Sequence, residues 1–310
     1  MQNRLVGVKS KVGFHILLGL LTFLTLTYKE ACFALFLPLE NKWQFFQENF
    51  YREVPYSLSL LIILFCHEMG HYLPARFYQI RATLPYFIPF PAGPIGTMGA
   101  VIQIKDSIKN KLELFDVGAG GPIMSLLLSI IAWCVGLSFS ELVDVQLFDD
   151  KTSSIELGDS LFTFYTGQWI LGPYDENTST ILIHPLAKAG WVGLLITAIN
   201  LLPFGQLDGG HIIYSLFGEK YRKWIHYLFC VFLLLGFVNL TWTIWGFIIF
   251  YLIKVEHPFV PDGKPLDLYR KWIGFFLLIS LFFIFVPSPI RTEKTNLLQD
   301  LIQKTIDLNK

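Results

Sequence analysis

The chain has 310 residues, 53% hydrophobic and 15% charged, with 29 phenylalanines. Ordinary soluble domains carry about 25% charged residues, so this composition argues against a water-soluble fold and makes the bilayer the expected solvent. Net charge is zero, which gives no electrostatic case for nucleic acid, and the dispersed Cys32, Cys66, Cys134 and Cys230 suggest neither a disulfide framework nor a cysteine-based metal site.

Arg4, Lys9 and Lys11 precede an uncharged run from Val12 to Tyr28, read as an uncleaved first span. A second run opens at Val54 and continues through His67-Glu68-Met69-Gly70-His71 to Ala75. The stretch Ala82–Ile104 is uncharged too, but Pro85, Pro89, Pro91 and Pro94 with Gly93, Gly96 and Gly99 break helices. Its tail, Ala100–Ile104, has the pattern of a strand. Irregular apolar backbone at membrane depth must be shielded by protein or line a cavity, which predicts a re-entrant loop or hairpin beside the active site. A surface loop in the interface is the other reading.

Val117–Ser140 is the next span. The segment Glu141–Ile183 carries Lys151 against eight acids and reads as an outer loop. Ala189–Leu207 follows. Trp224–Ile253 as one helix would be about 45 Å long, more than the hydrocarbon core, so two short helices turning near Asn239 are preferred. Trp272–Ile290 is the last span. Leu297, Leu298, Leu301, Ile302 and Ile306 recur at helical spacing, predicting an interfacial amphipathic helix over Thr295–Leu308.

The expected fold is an all-α polytopic membrane protein. It has about seven transmembrane helices and a re-entrant β-hairpin or loop next to the active site. The Lys/Arg-rich segments 76–111, 220–223 and 254–271 all fall on the cytoplasmic side if the N-terminus is inside. Three parts are expected: residues 1–50 (first span and outer loop), 51–255 (membrane core) and 256–310 (last span and tail).

His67-Glu68-Met69-Gly70-His71 fits H-E-x-x-H. On a helix the two imidazoles share a face and can reach one ion, while Glu68 lies close enough to take a proton from activated water. Ionisable residues inside a span are costly, so a cluster of three reads as functional rather than as packing. A catalytic zinc site wants a third protein ligand. Asp208 is the candidate: it ends an uncharged run, and Pro203 and Gly205 let the backbone turn toward the metal. An interfacial turn is the alternative. Asn200, one to two turns earlier, could donate to an oxyanion or make an interhelical hydrogen bond. His211 reads as surface or metal-supporting.

His67–His71 within a span, together with Asn200-x-x-Pro203-x-x-x-Leu207-Asp208-Gly209, resembles the site-2 protease family of intramembrane zinc metalloproteases. The resemblance covers about residues 50–255. It implies a three-helix catalytic unit, one Zn2+ per chain on His67, His71 and Asp208, and Glu68 as general base. It also implies cleavage of transmembrane or membrane-anchored protein substrates. Gly120-Gly121-Pro122 resembles a helix-start motif of the family, and Ser125 stands where some members carry Asn. The expected location is a bacterial plasma membrane, with the active site toward the cytoplasm; a plastid relative is the other reading. A catalytically inactive membrane chaperone or binding protein is the alternative, which the intact Glu68 disfavours. A metal transporter would need ionisable residues along several spans, and they concentrate at one site.

Overall fold

The computed structural model describes residues 12–29, 42–91, 94–144, 156–174, 179–263 and 265–291. The expected amphipathic helix at 295–308 lies outside the described residues. The described chain is mostly helical: α1 (Val12–Thr27), α2 (Lys42–Phe77), α3 (Lys111–Leu137), α4 (Leu161–Leu171), α5 (Pro185–Asn200), α6 (Asp208–Phe217), α7 (Arg222–Leu234), α8 (Leu240–Ile248) and α9 (Leu268–Ile284). Three two-stranded antiparallel sheets interrupt them: β1 (Tyr86–Pro89) with β2 (Thr97–Val101), β3 (Glu141–Asp144) with β5 (Ser179–Leu182), and β4 (Glu156–Leu157) with β6 (Ile290–Arg291).

Among the described residues, two helices are long and apolar enough to cross a membrane, Phe46–Phe77 and Lys111–Leu137. Large side chains such as Leu20, Leu127, Phe247, Phe276 and Phe282 are more than half exposed on the helices' outer faces. So much apolar exterior suits lipid rather than water.

The centre is α2, α3 and α5, packed on one another, with α6 against α3. Leu60, Leu64, Leu126, Trp133, Leu194 and Ala198 fill the space between them. Small residues let the backbones touch: a Cβ on Gly70 would run into the Gly120 carbonyl, and one on Gly120 into the Gly70 carbonyl. Gly70→Ala should therefore cost about 1–3 kcal/mol through overpacking, read as a lower thermal unfolding midpoint in detergent. An unchanged midpoint would contradict this packing.

The caps explain where helices begin. Asn110 Oδ1 accepts from the Leu112 and Glu113 amides to open α3, and Asp267 accepts from the Arg270 amide to open α9. Asn239 caps α8 through the Thr241 amide at 3.0 Å, so the run 224–253 does break where the turn is expected. The pairs Phe229–Phe250 (6.2 Å) and Phe232–Trp242 (5.8 Å) show α8 and the π-helical turn that continues it (Ile249–Ile253) folding back antiparallel on α7.

The run Ala189–Leu207 breaks where Pro203 and Gly205 are expected to turn the backbone: α5 stops at Asn200, and Asp208 opens the separate α6. Two expectations change. The outer segment 141–183 contains α4, opened by a Ser160–Thr163 capping box. α2 begins well before Val54, and its N-terminal turns carry paired polar groups among the apolar ones. One of these is the buried Glu53, 2.7 Å from Lys29 Nζ.

The β1–β2 hairpin packs against α1 and α2. Tyr56 Oη donates to the Ile95 carbonyl near its tip at 2.7 Å. At its base Arg81 grips Asp106 through both side chain and backbone. Those hydrogen bonds push the exposed Asp106 carboxyl down to about 2.

Candidate metal centre

Helical spacing on α2 puts His67 and His71 side by side, with ring centroids 4.7 Å apart. Both are nearly sealed from solvent, as is Glu68 between them (4%, 8% and 6% exposed, respectively). Asp208 reaches them from the far end of the sequence. Its Oδ2 lies 3.4 Å from His67 Nε2 and its Oδ1 3.4 Å from His71 Nε2. The break after Asn200 makes this possible. Gly205 adopts φ +51°, a left-handed conformation that favours glycine, and the chain re-enters a helix at Asp208.

The outer ring nitrogens are both engaged. His71 Nδ1 is 2.7 Å from the Val117 carbonyl, which can only accept, so the proton sits on Nδ1. His67 Nδ1 is 3.0 Å from Ser125 Oγ. That hydroxyl donates to the Gly121 carbonyl at 3.2 Å, so toward His67 it accepts. Both Nε2 atoms are then bare lone pairs, 3.1 Å apart, beside a carboxylate.

Three facing acceptors without a proton among them repel one another; a cation satisfies them all. The ligand atoms of His67, His71 and Asp208 lie within 4.8 Å of one another. Two imidazole nitrogens and one carboxylate oxygen form a donor set suited to zinc. The residues present fit such an ion.

Glu68 Oε2 accepts the Ile102 backbone N–H at 2.7 Å, just past the end of β2. This leaves Oε1 for other chemistry. Asn200 Nδ2 lies 3.3 Å from His67 Nε2, so the structure brings Asn200 to the same place as the other four residues. His211 does not join them as a ligand; its Nδ1 pairs instead with His257 Nε2 at 2.7 Å.

Several participants escape sequence reasoning. Val117 and Ile102 act through their backbones, which no side-chain pattern reveals. Ser125 gave only the signal of standing where some family members carry Asn. Thr197, whose hydroxyl lies 2.9 Å from Ser125 Oγ, looks in sequence like one more small helix residue.

The model of peptidase family M50 matches residues 55–239, more than half of the chain, and includes both motifs. This chain belongs to peptidase family M50. Among similar proteins is "Probable zinc metalloprotease EGY1, chloroplastic" of Arabidopsis thaliana. It is 34% identical over 167 residues, covering 54% of this chain and 30% of that protein. The rice (Oryza sativa subsp. japonica) protein of the same name is 35% identical over 173 residues, covering 54% and 28%. "Probable zinc metallopeptidase EGY3, chloroplastic" of Arabidopsis is 27% identical over 267 residues, covering 78% and 44%. The M50 chain thus spans less than a third of the length of the EGY1 proteins it matches.

Proposed function

We propose that this M50 chain is an intramembrane zinc metalloprotease that hydrolyses peptide bonds of membrane-embedded proteins. The observation that carries the reading is the convergence of His67, His71 and Asp208, with the Glu68 carboxylate beside them. His67, His71 and Asp208 hold the ion. Zinc in such a site supplies Lewis acidity that brings the pKa of water to near 7.

The chain's own residues do the rest. Glu68, anchored through Oε2 by the Ile102 amide, takes the proton of the attacking water on Oε1 and delivers it to the leaving amide nitrogen. Asn200 Nδ2 donates to the substrate carbonyl oxygen as it gains negative charge. Ser125 and the Val117 carbonyl keep the imidazoles in the tautomer whose Nε2 is free.

Residues 51–255 form the catalytic core, flanked by 1–50 and 256–310. About seven helices span the bilayer, the β1–β2 hairpin re-enters it beside the site, and the substrate is a transmembrane or membrane-anchored protein. The membrane is a bacterial plasma membrane, with the site toward the cytoplasm. The relatives' printed chloroplast location makes a chloroplast membrane the competing assignment.

Cleavage of a single-span peptide by the purified chain tests the reading, with o-phenanthroline and zinc restoration as controls. No zinc-dependent cleavage of any single-span substrate would overturn it. Ser125→Ala should weaken zinc binding about tenfold, because His67 loses the group that fixes its tautomer. Chelator competition measures this, and an affinity equal to wild type would remove Ser125 from the account.

A further inference from the structure

The loop between α8 and α9 runs beyond residue 239, where the family match ends, yet it grips the segment that carries Asp208. The Gly205 amide donates to the Val255 carbonyl at 3.0 Å. Val260 N–H donates to Tyr214 Oη on α6 at 3.1 Å. Arg222 Nη2 donates to the His257 carbonyl at 3.0 Å, and the His257 amide meets Tyr221 Oη. Lys111 at the start of α3 pairs with Asp262. Residues 254–262 form a strap across α6.

His257 is the centre of the strap and is 1% exposed. Its Nδ1 lies 2.6 Å from the Pro258 carbonyl, which can only accept, so Nδ1 carries the proton and Nε2 is an acceptor. His211 Nδ1 must then be the donor across the 2.7 Å contact. Burial pushes the His257 imidazole down to about 4, consistent with this neutral tautomer at pH 7. The ring also stacks on Tyr214, with centroids 4.6 Å apart.

His211 sits in the first turn of α6, its amide bonded to the Leu207 carbonyl at 3.0 Å. On its other side a Cβ at Gly118 would collide with the His211 side chain, so α3 backs it directly. His211 is therefore clamped between α3 and the strap, one helical turn from Asp208. The Asp208 oxygens approach the imidazoles only to 3.4 Å, longer than a hydrogen bond. The direction of α6, rather than a direct bond to the histidines, sets where that carboxylate stands.

We propose that His257 is a positioning residue for the metal centre, acting through the His211 hydrogen bond to fix the first turn of α6 and so hold Asp208 in ligating position. The inference rests on the reading of His67, His71 and Asp208 as the ligand set.

The test is the zinc dissociation constant of the full chain in detergent, by chelator competition. His257→Phe keeps an aromatic ring against Tyr214 but removes the acceptor, and should weaken zinc about tenfold. His211→Phe removes the donor and should weaken it similarly; the double variant should be no weaker than either single one, since both break one bond. His257→Gln restores an acceptor and should recover most of the affinity, which a merely space-filling role would not give. Should H257F fail to accumulate, H211F and H257Q carry the same comparison.

Wild-type affinity in H257F or H211F, or H257Q as weak as H257F, overturns the proposal. Asp208→Ala belongs in the same series. If it weakens zinc while H257F and H211F do not, the strap inference alone fails. If it leaves zinc binding unchanged, the ligand assignment fails with it.

Discussion

Glu68→Gln leaves zinc bound and removes peptide cleavage, a loss of about a thousandfold, within the range for general acid–base catalysis. Glutamine has nearly the volume of glutamate, and its Oε1 still accepts the Ile102 N–H that now meets Glu68 at 2.7 Å. The side chain therefore stays in place while losing the ability to take a proton. The ion's three ligand groups are untouched, because Glu68 is not among them. Two measurements on one sample decide the matter: cleavage of a single-span peptide in mixed micelles, and zinc by mass spectrometry. Near-normal cleavage by the variant would remove Glu68 from the chemistry. Loss of zinc together with activity would make it a structural support of the site instead.

Asp208→Ala has the second large effect, at least a tenfold loss of zinc affinity, or about 1.4 kcal/mol. Alanine leaves two imidazole nitrogens 3.1 Å apart without the third ligand group. Cleavage falls with occupancy, so added zinc restores part of it at concentrations above the new dissociation constant. Titration with a competing chelator reads the change directly. An affinity equal to wild type would show that the carboxylate, though close, does not ligate.

The cluster of His67, His71 and Asp208 was legible because a metal site would demand fixed residue types at fixed spacing. His67, Glu68 and His71 stand out as costly groups inside an apolar run, and Asp208 as the charge that ends another. Asn239 was legible as a helix break because an extended cap residue must supply a side-chain acceptor, and asparagine does.

What stayed hidden has physical causes too. Hydropathy follows where lipid lies, not where a helix ends, so α2 runs twelve residues ahead of Val54 on polar turns that the hydropathy run misses. Pro203 and Gly205 mark the break between α5 and α6, but with Leu201, Leu202 and Phe204 as apolar as any helix residue, hydropathy does not show that α5 already ends at Asn200. Tertiary partners were beyond reach altogether. Ser125 serves His67 from 58 residues away, and His257 meets His211 from 46 residues away. No local periodicity encodes either pairing.

A single ion should be held jointly by α2 and the first turn of α6. Zinc K-edge X-ray absorption of the purified chain, beside Asp208→Ala, tests it most directly. The expected spectrum shows one zinc per chain bound by two imidazoles and oxygen donors, with His71→Ala losing the ion and Asp208→Ala losing an oxygen donor from the shell. A wild-type chain without zinc, or a shell identical in wild type and Asp208→Ala, would contradict it.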